Sequence, residues 1–180
     1  MNQSRTHVLL FAFTLALWAL AAFAEPKALI PDAPPAGVVS DSEFLRRASA
    51  ASNAESQMNQ LAINLAVDAQ VRAQAERLAA DHLRNRDQLR ALAKSKSVDI
   101  PTTTDSAYQV AIDDLRNLEG RDFEAAWLKT VRTDHEMLVD LFQGVASRAS
   151  DDDVRKYASD MLPVLQAHLA RMQQLEIARR

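Results

Sequence analysis

Apolar residues recur at alternating spacings of three and four along four long stretches of the chain. These stretches cover about residues 41–66, 69–96, 121–149 and 151–178. The spacing is typical of helices that bury one face against antiparallel neighbours in a bundle. A shorter stretch at about 104–118 carries Tyr108, Ile112 and Leu115 on one face, which predicts a further amphipathic helix. The pattern therefore predicts an all-α fold, an antiparallel four-helix bundle with an additional short helix between the second and third long helices.

N-cap residues, and the scarcity of glycine and proline, support these helices. Ser40 with Glu43, and Ser150 with Asp153, have the spacing of a capping box, and Asp68 is the expected N-cap of the second helix. Short connections follow the first and third long helices, so each is expected to pack antiparallel to its successor. The longer passage between the second and third long helices carries the short one.

The N-terminus has the features of a secretory signal peptide. Arg5 precedes an apolar run at residues 8–22, and Ala22-Phe23-Ala24 forms a small-x-small cleavage site. The alternative is an uncleaved membrane anchor, but the run is shorter than the roughly 20 residues that a spanning helix needs. We therefore expect residues 1–24 to be removed.

Composition defines the remaining organisation. Residues 25–40 contain four of the six prolines, which predicts an extended linker before a single bundle domain at residues 41–178. The chain has no cysteine, so neither a disulfide nor a cysteine-linked lipid is expected. A formal net charge of −3 is too acidic to indicate nucleic-acid binding. We expect an exported, soluble protein of the periplasm or cell envelope that is not a lipoprotein and has no membrane span after cleavage.

Each predicted buried face contains one residue that can bind a metal ion: Glu55, His82, His135 or His168. The first three lie near the midpoints of their helices, at the same distance from the predicted starts. His168 lies about three residues beyond its midpoint, and so about 5 Å off that level. A bend at Pro163 is expected to make up part of this offset.

Three imidazoles and one carboxylate suit a zinc, copper or iron ion, either as a complete ligand set or with one position left open. Asp81 and Asp134 each precede a histidine by one residue, so they point about 100° away from it around the helix. They are expected to accept hydrogen bonds from metal-bound histidines on neighbouring helices.

A second interpretation needs no metal. The same buried residues can hydrogen-bond one another and fix the helix register, in a structural bundle that binds a protein partner or a second copy of itself. No serine pairs with a histidine as a nucleophile in any recognisable motif, and there is no glycine-rich phosphate loop. The sequence therefore predicts no reaction.

Four stretches of the chain resemble an exported family of unknown function, DUF4142, which is grouped with ferritin-like bundles. They read FLRRASAASNAESQMNQLA, LAADHLRNRDQLRALAKSKSVDIP, LRNLEGRDFEAAWLKTVRTDHEMLVDLF and YASDMLPVLQAHLARMQQL. The resemblance covers about residues 41–177 and includes Glu55, both Asp-His pairs and His168. It implies a ferritin-like four-helix fold and brings no established activity.

The chain departs from that family in several places. Ala51-Ser52 and Asn59 stand where the family usually has glycines, and Glu124 and Trp127 stand where it has an aspartate and a tyrosine. The resemblance does not imply a di-iron enzyme, because such sites take Glu-x-x-His pairs from two helices. The positions three before the histidines are Ala79, Arg132 and Leu165.

Overall fold

The computed structural model describes residues 39–179, so the predicted signal peptide and most of the predicted linker lie outside the described residues. The five helices of this part are α1 Asp41–Leu65, α2 Ala69–Ser95, α3 Ser106–Arg116, α4 Gly120–Arg148 and α5 Asp152–Ala178. The described part contains no strand. None of these helices is long and apolar enough to cross a membrane. The predicted all-α class, with four long helices and a short one between the second and third, is confirmed.

Two of the three predicted start signals are confirmed. Ser40 caps α1 and Asp68 caps α2, each by accepting a backbone N–H from the first turn. The prediction for Ser150 is wrong, because Asp151 is the N-cap of α5. The physical reason is a tertiary contact: the carboxylate of Asp41 accepts the backbone N–H groups of Ser150 and Asp151, at 3.3 and 2.9 Å. This contact holds Ser150 in the connection before the helix.

Ion pairs at the two ends of the bundle define its topology. Lys96, after α2, pairs with Asp151, before α5, at 2.6 Å. At the opposite end Arg179, after α5, donates to Asp68, before α2, at 2.7 Å. Glu124, near the start of α4, accepts the backbone N–H of Asp68 at 2.6 Å. Helices α2 and α4 therefore start at the same end and run parallel, whereas α1 and α5 run the opposite way.

The parallel course of α2 and α4 requires a crossover along the whole length of the bundle, and α3 lies in it. This crossover packs along α1, where Ser49 and Asn53 both donate to the carbonyl of Pro101 at 2.9 Å. Helix α3 itself contacts α1 and α4. The long helices contact one another in the cyclic order α1, α2, α5, α4. A four-helix ring with one long crossover is the ferritin-like arrangement.

The core follows the three-and-four spacing of the apolar residues, with a departure at the end of α1. Phe44 and Phe142 pack edge to face in the half of the core near Lys96, with ring centroids 4.9 Å apart. Leu65 continues the three-and-four spacing of apolar residues along α1, yet it is 39% exposed, and Ala66 is buried in its place. Leu65 is the last residue of α1, and the extended backbone that follows breaks the helical periodicity at this point.

The contact between Arg179 and Glu124 generates a prediction about stability. Glu124 is fully buried, so Arg179→Ala would leave a carboxylate in the core with only the Asp68 N–H as a partner. We expect a loss of about 1–3 kcal/mol in the free energy of unfolding, measured by urea denaturation. Arg46→Ala is the control, because its pair with Glu43 is exposed and contributes less than about 1 kcal/mol. Equal losses in the two variants would contradict the prediction.

Candidate metal centre

One polar residue from each long helix meets the others near the middle of the core. Glu55 on α1 and His135 on α4 are 0% exposed, and His82 on α2 and His168 on α5 are 4% exposed. The imidazole centroids are 5.7 Å apart for His82 and His135, 6.0 Å for His82 and His168, and 5.4 Å for His135 and His168. The predicted burial and proximity of the three histidines are confirmed.

The predicted height offset of His168 is wrong. Its ring lies as close to the other two rings as they lie to each other. The prediction counted from helix starts and assumed that all helices begin level. In the structure Arg179 contacts Glu124, and His168 precedes Arg179 by as many residues as His135 follows Glu124. The antiparallel helices α5 and α4 therefore carry their histidines at equal distances from this shared contact.

Hydrogen bonds fix which nitrogens of two histidines face each other. His135 Nδ1 lies 3.0 Å from the Val131 carbonyl oxygen, which only accepts, so Nδ1 carries a hydrogen. His168 Nε2 lies 2.8 Å from Asp81 Oδ2, and a carboxylate likewise accepts. The remaining nitrogens, His135 Nε2 and His168 Nδ1, face each other at 3.3 Å.

The distance between these two nitrogens is one that two ligands of a single metal ion would have. Burial, with the neighbouring His135, lowers the pKa of His168 to about 4, so at neutral pH its Nδ1 presents a lone pair. A hydrogen bond between the two nitrogens, or a metal ion shared by them, would account for this contact. Nitrogens bound to one tetrahedral zinc ion at 2.0–2.1 Å lie about 3.3–3.4 Å apart. The observed separation of 3.3 Å fits a shared metal ion.

Glu55 contacts two of the histidines. Its Oε2 contacts His82 Nε2, and its Oε1 lies 2.9 Å from His135 Nδ1. Neither contact has the geometry of a hydrogen bond. Both are therefore electrostatic contacts. Burial opposes the ionisation of Glu55, but the charges of His135 and His82 outweigh it and hold the pKa of Glu55 well below its usual range.

The contact with Glu55 raises the pKa of His82. Burial disfavours the charged imidazole, but the Glu55 carboxylate outweighs this and raises the pKa of His82. The metal-free core therefore favours an ion pair of Glu55 and His82. The donor atoms that lie within 4.8 Å of one another come from His82, His135 and His168, and Glu55 is not part of this converging set.

The two aspartates that precede histidines have different neighbours. Asp81 pairs with His168, on the neighbouring helix α5. Asp134 is fully buried and accepts a hydrogen bond from the Tyr108 hydroxyl of α3 at 3.3 Å. Burial, followed by the charge of Glu55, raises the pKa of Asp134 well above its usual range. Asp134 thus lies against a tyrosine and a glutamate, and its described hydrogen bond involves no histidine.

Sequence reasoning missed the surroundings of Glu55. Tyr108 was expected only as part of the apolar face of a short helix, yet its hydroxyl reaches Asp134. Ser52 and Asn59 are buried on α1 near Glu55 in sequence, and their side chains have no hydrogen-bond partner within the described part of the chain. Their spacing from Glu55, three and four residues, was the available signal, because such residues share a helix face.

Comparison with known proteins identifies the family. The sequence pattern of a family described as a domain of unknown function, DUF4142, matches residues 27–175. The chain belongs to this family. No curated protein matches it.

Two solved structures share the fold of this DUF4142 domain. A DUF305 protein from Streptomyces coelicolor, named as a candidate secreted protein, is 17% identical with a TM-score of 0.67, over 78% of this chain and 92% of its own. A DUF305 fragment from Deinococcus radiodurans is 12% identical with a TM-score of 0.67, over 81% of this chain and 97% of its own. At such low identity the similarity shows the fold alone.

The raised pKa of His82 predicts a pH-dependent role for Glu55 in the metal-free protein. A raised histidine pKa contributes stability below its ordinary value of about 6.5, and this contribution is lost as the pH rises through the folded pKa. Glu55→Gln removes the charge that raises it. We expect the variant to lose about 3–5 kcal/mol of unfolding free energy at pH 6 and less at pH 9.

Urea denaturation in the presence of a chelator measures this difference. Glu119→Gln is the control, because Glu119 is exposed and its side chain makes no capping hydrogen bond. Its effect should be small at both pH values. A loss for Glu55→Gln that is equal at the two pH values, or larger at pH 9, would show that the ion pair with His82 does not form.

Proposed function

We propose that this protein is an exported metal-binding protein whose bundle core binds one transition-metal ion through His82, His135 and His168. The observation that carries the proposal is the pair of facing nitrogens, His135 Nε2 and His168 Nδ1, at 3.3 Å. Their opposite ring nitrogens are already engaged by Val131 and Asp81. Orientation of this kind, through the nitrogen that does not bind the ion, is the usual support of metal-bound histidines.

The charges around the three histidines suit a divalent cation. Imidazole nitrogens bind zinc, copper and iron ions, but an uncompensated charge in a protein core is costly. The carboxylates of Glu55 and Asp81 both contact the histidines and offset that charge. Zinc is the first ion to test, followed by copper and iron, because the three imidazoles do not select among them.

Export to the periplasm or cell envelope is the second part of the proposal. It is supported by the charged start, apolar run and small-residue cleavage site within residues 1–24. The S. coelicolor relative with the same fold is named as a candidate secreted protein. No reaction is assigned, since nothing in the core pairs the histidines with a nucleophile.

A structural or partner-binding bundle is the alternative, and one observation favours it. Glu55 and His82 compensate each other's charge without a metal ion, which is sufficient for residues that only fix the helix register. Exposed apolar side chains, Leu65, Val67 and Ile177, lie near the bundle end that contains Asp68. A protein partner or a second copy of the chain would bind there in this alternative.

Thermal unfolding with and without metal separates the two functions. An ion that binds only the folded state, at a hundredfold excess over Kd, stabilises it by about 2.7 kcal/mol. For a domain of this size that raises the melting temperature by roughly 5–11 °C. We expect such a shift with zinc, copper or iron, and we expect His135→Ala to abolish it while the helix content is retained.

Val131→Ala is the matched control. It removes side-chain volume from the buried face of α4 one turn before His135, but it leaves the carbonyl that accepts from the imidazole. Its melting temperature should be lower without metal, and the metal-induced shift should equal that of the wild type. A shift below a degree or two with every ion, or an undiminished shift in His135→Ala, would favour the structural alternative. Independently of these shifts, elemental analysis of untagged protein from its native compartment would identify any bound ion.

A further inference from the structure

The position of Glu55 relative to the histidines bears on how many ligands the centre has. Its contact with His135 is to Nδ1, the nitrogen that already donates to Val131. The nitrogen that faces His168 is on the other side of the same ring. Glu55 therefore lies beside the outer edge of His135 and not opposite its free lone pair.

The converging atoms lead to the same conclusion. One nitrogen from each of His82, His135 and His168 lies within 4.8 Å of the other two, and no carboxylate oxygen belongs to this set. Ligands of one tetrahedral ion lie about 3.3–3.4 Å apart when the bonds are 2.0–2.1 Å long. Two of the converging nitrogens already lie 3.3 Å apart, whereas Glu55 is not part of the converging set.

Glu55 is surrounded by an acidic residue and two imidazoles. Asp134 lies against Glu55 and accepts a hydrogen bond from the Tyr108 hydroxyl. Both oxygens of Glu55 are buried and lack an aligned donor, and its nearest cationic groups are the imidazoles of His82 and His135. The carboxylate thus supplies negative charge to two histidines without belonging to the set of converging atoms.

On the basis of the proposed function, we propose that Glu55 is a positioning residue for His82 and His135, and that the fourth coordination position of the metal is left to a small exogenous ligand. The ligand class is water or a small monodentate anion, because the three histidines are buried in the bundle core. Sites with four protein ligands are typically structural, whereas three protein ligands and an exchangeable water are typical of reactive zinc centres.

Cobalt loading and azide titration of the mature chain test this proposal. The visible absorption of Co²⁺ reports its coordination, and azide is a monodentate anion. We expect one Co²⁺ per chain, and a saturable change in its spectrum when azide is added to the wild type. An unchanged wild-type spectrum at saturating azide would overturn the proposal, and this result needs no variant to fold.

Glu55→Gln and His135→Ala supply the comparison. Loss of a residue that orients metal ligands weakens binding by about 10–100-fold, so Glu55→Gln should still bind one Co²⁺, more weakly, and still respond to azide. If Glu55 is a ligand, azide should act on Glu55→Gln and not on the wild type. His135→Ala should show no azide-dependent cobalt spectrum. Absence of cobalt binding by the wild type would overturn the proposed function itself, and with it this inference.

Discussion

The fold is organised around a carboxylate that is fully buried in the middle of a helical bundle. An isolated charge in a protein interior is strongly unfavourable, so it persists only where opposite charge or hydrogen bonds compensate it. Glu55 obtains that compensation from His82 and His135, each from a different helix. The requirement ties α1 to α2 and α4 at one height, and the apolar layers above and below pack around that height.

Two further pairs of residues flank Glu55 and its histidines. Toward the surface between α2 and α5, His168 pairs with Asp81, which is 28% exposed. Toward the crossover, Asp134 is covered by Tyr108 from α3. The ferritin-like crossover therefore does more than connect α2 to α4, because it supplies a hydroxyl that donates to one oxygen of a buried carboxyl group on α4.

The shared fold does not carry a shared reaction. The DUF305 structures match the helical arrangement at 17% and 12% identity, and function depends on the residues placed inside such a bundle. Here Glu55, His82, His135 and His168 come from four different helices, without the Glu-x-x-His pairs that di-iron bundles use. The converging donors are three imidazole nitrogens, a set that would suit a single ion better than a carboxylate-bridged pair.

The sequence by itself determined the helices, their buried faces and the four core residues, because the 3.6-residue period fixes the direction of each side chain around its own helix. That information places Glu55 and the three histidines inside the bundle. Only the tertiary structure decided their heights and contacts, since periodicity does not fix how one helix slides or turns against another. The contact of Arg179 with Glu124 set the level of His168, and the course of the crossover brought Tyr108 to Asp134. Likewise, the packing around His135 placed Glu55 at the Nδ1 atom of that histidine. This position depends on three helices at once.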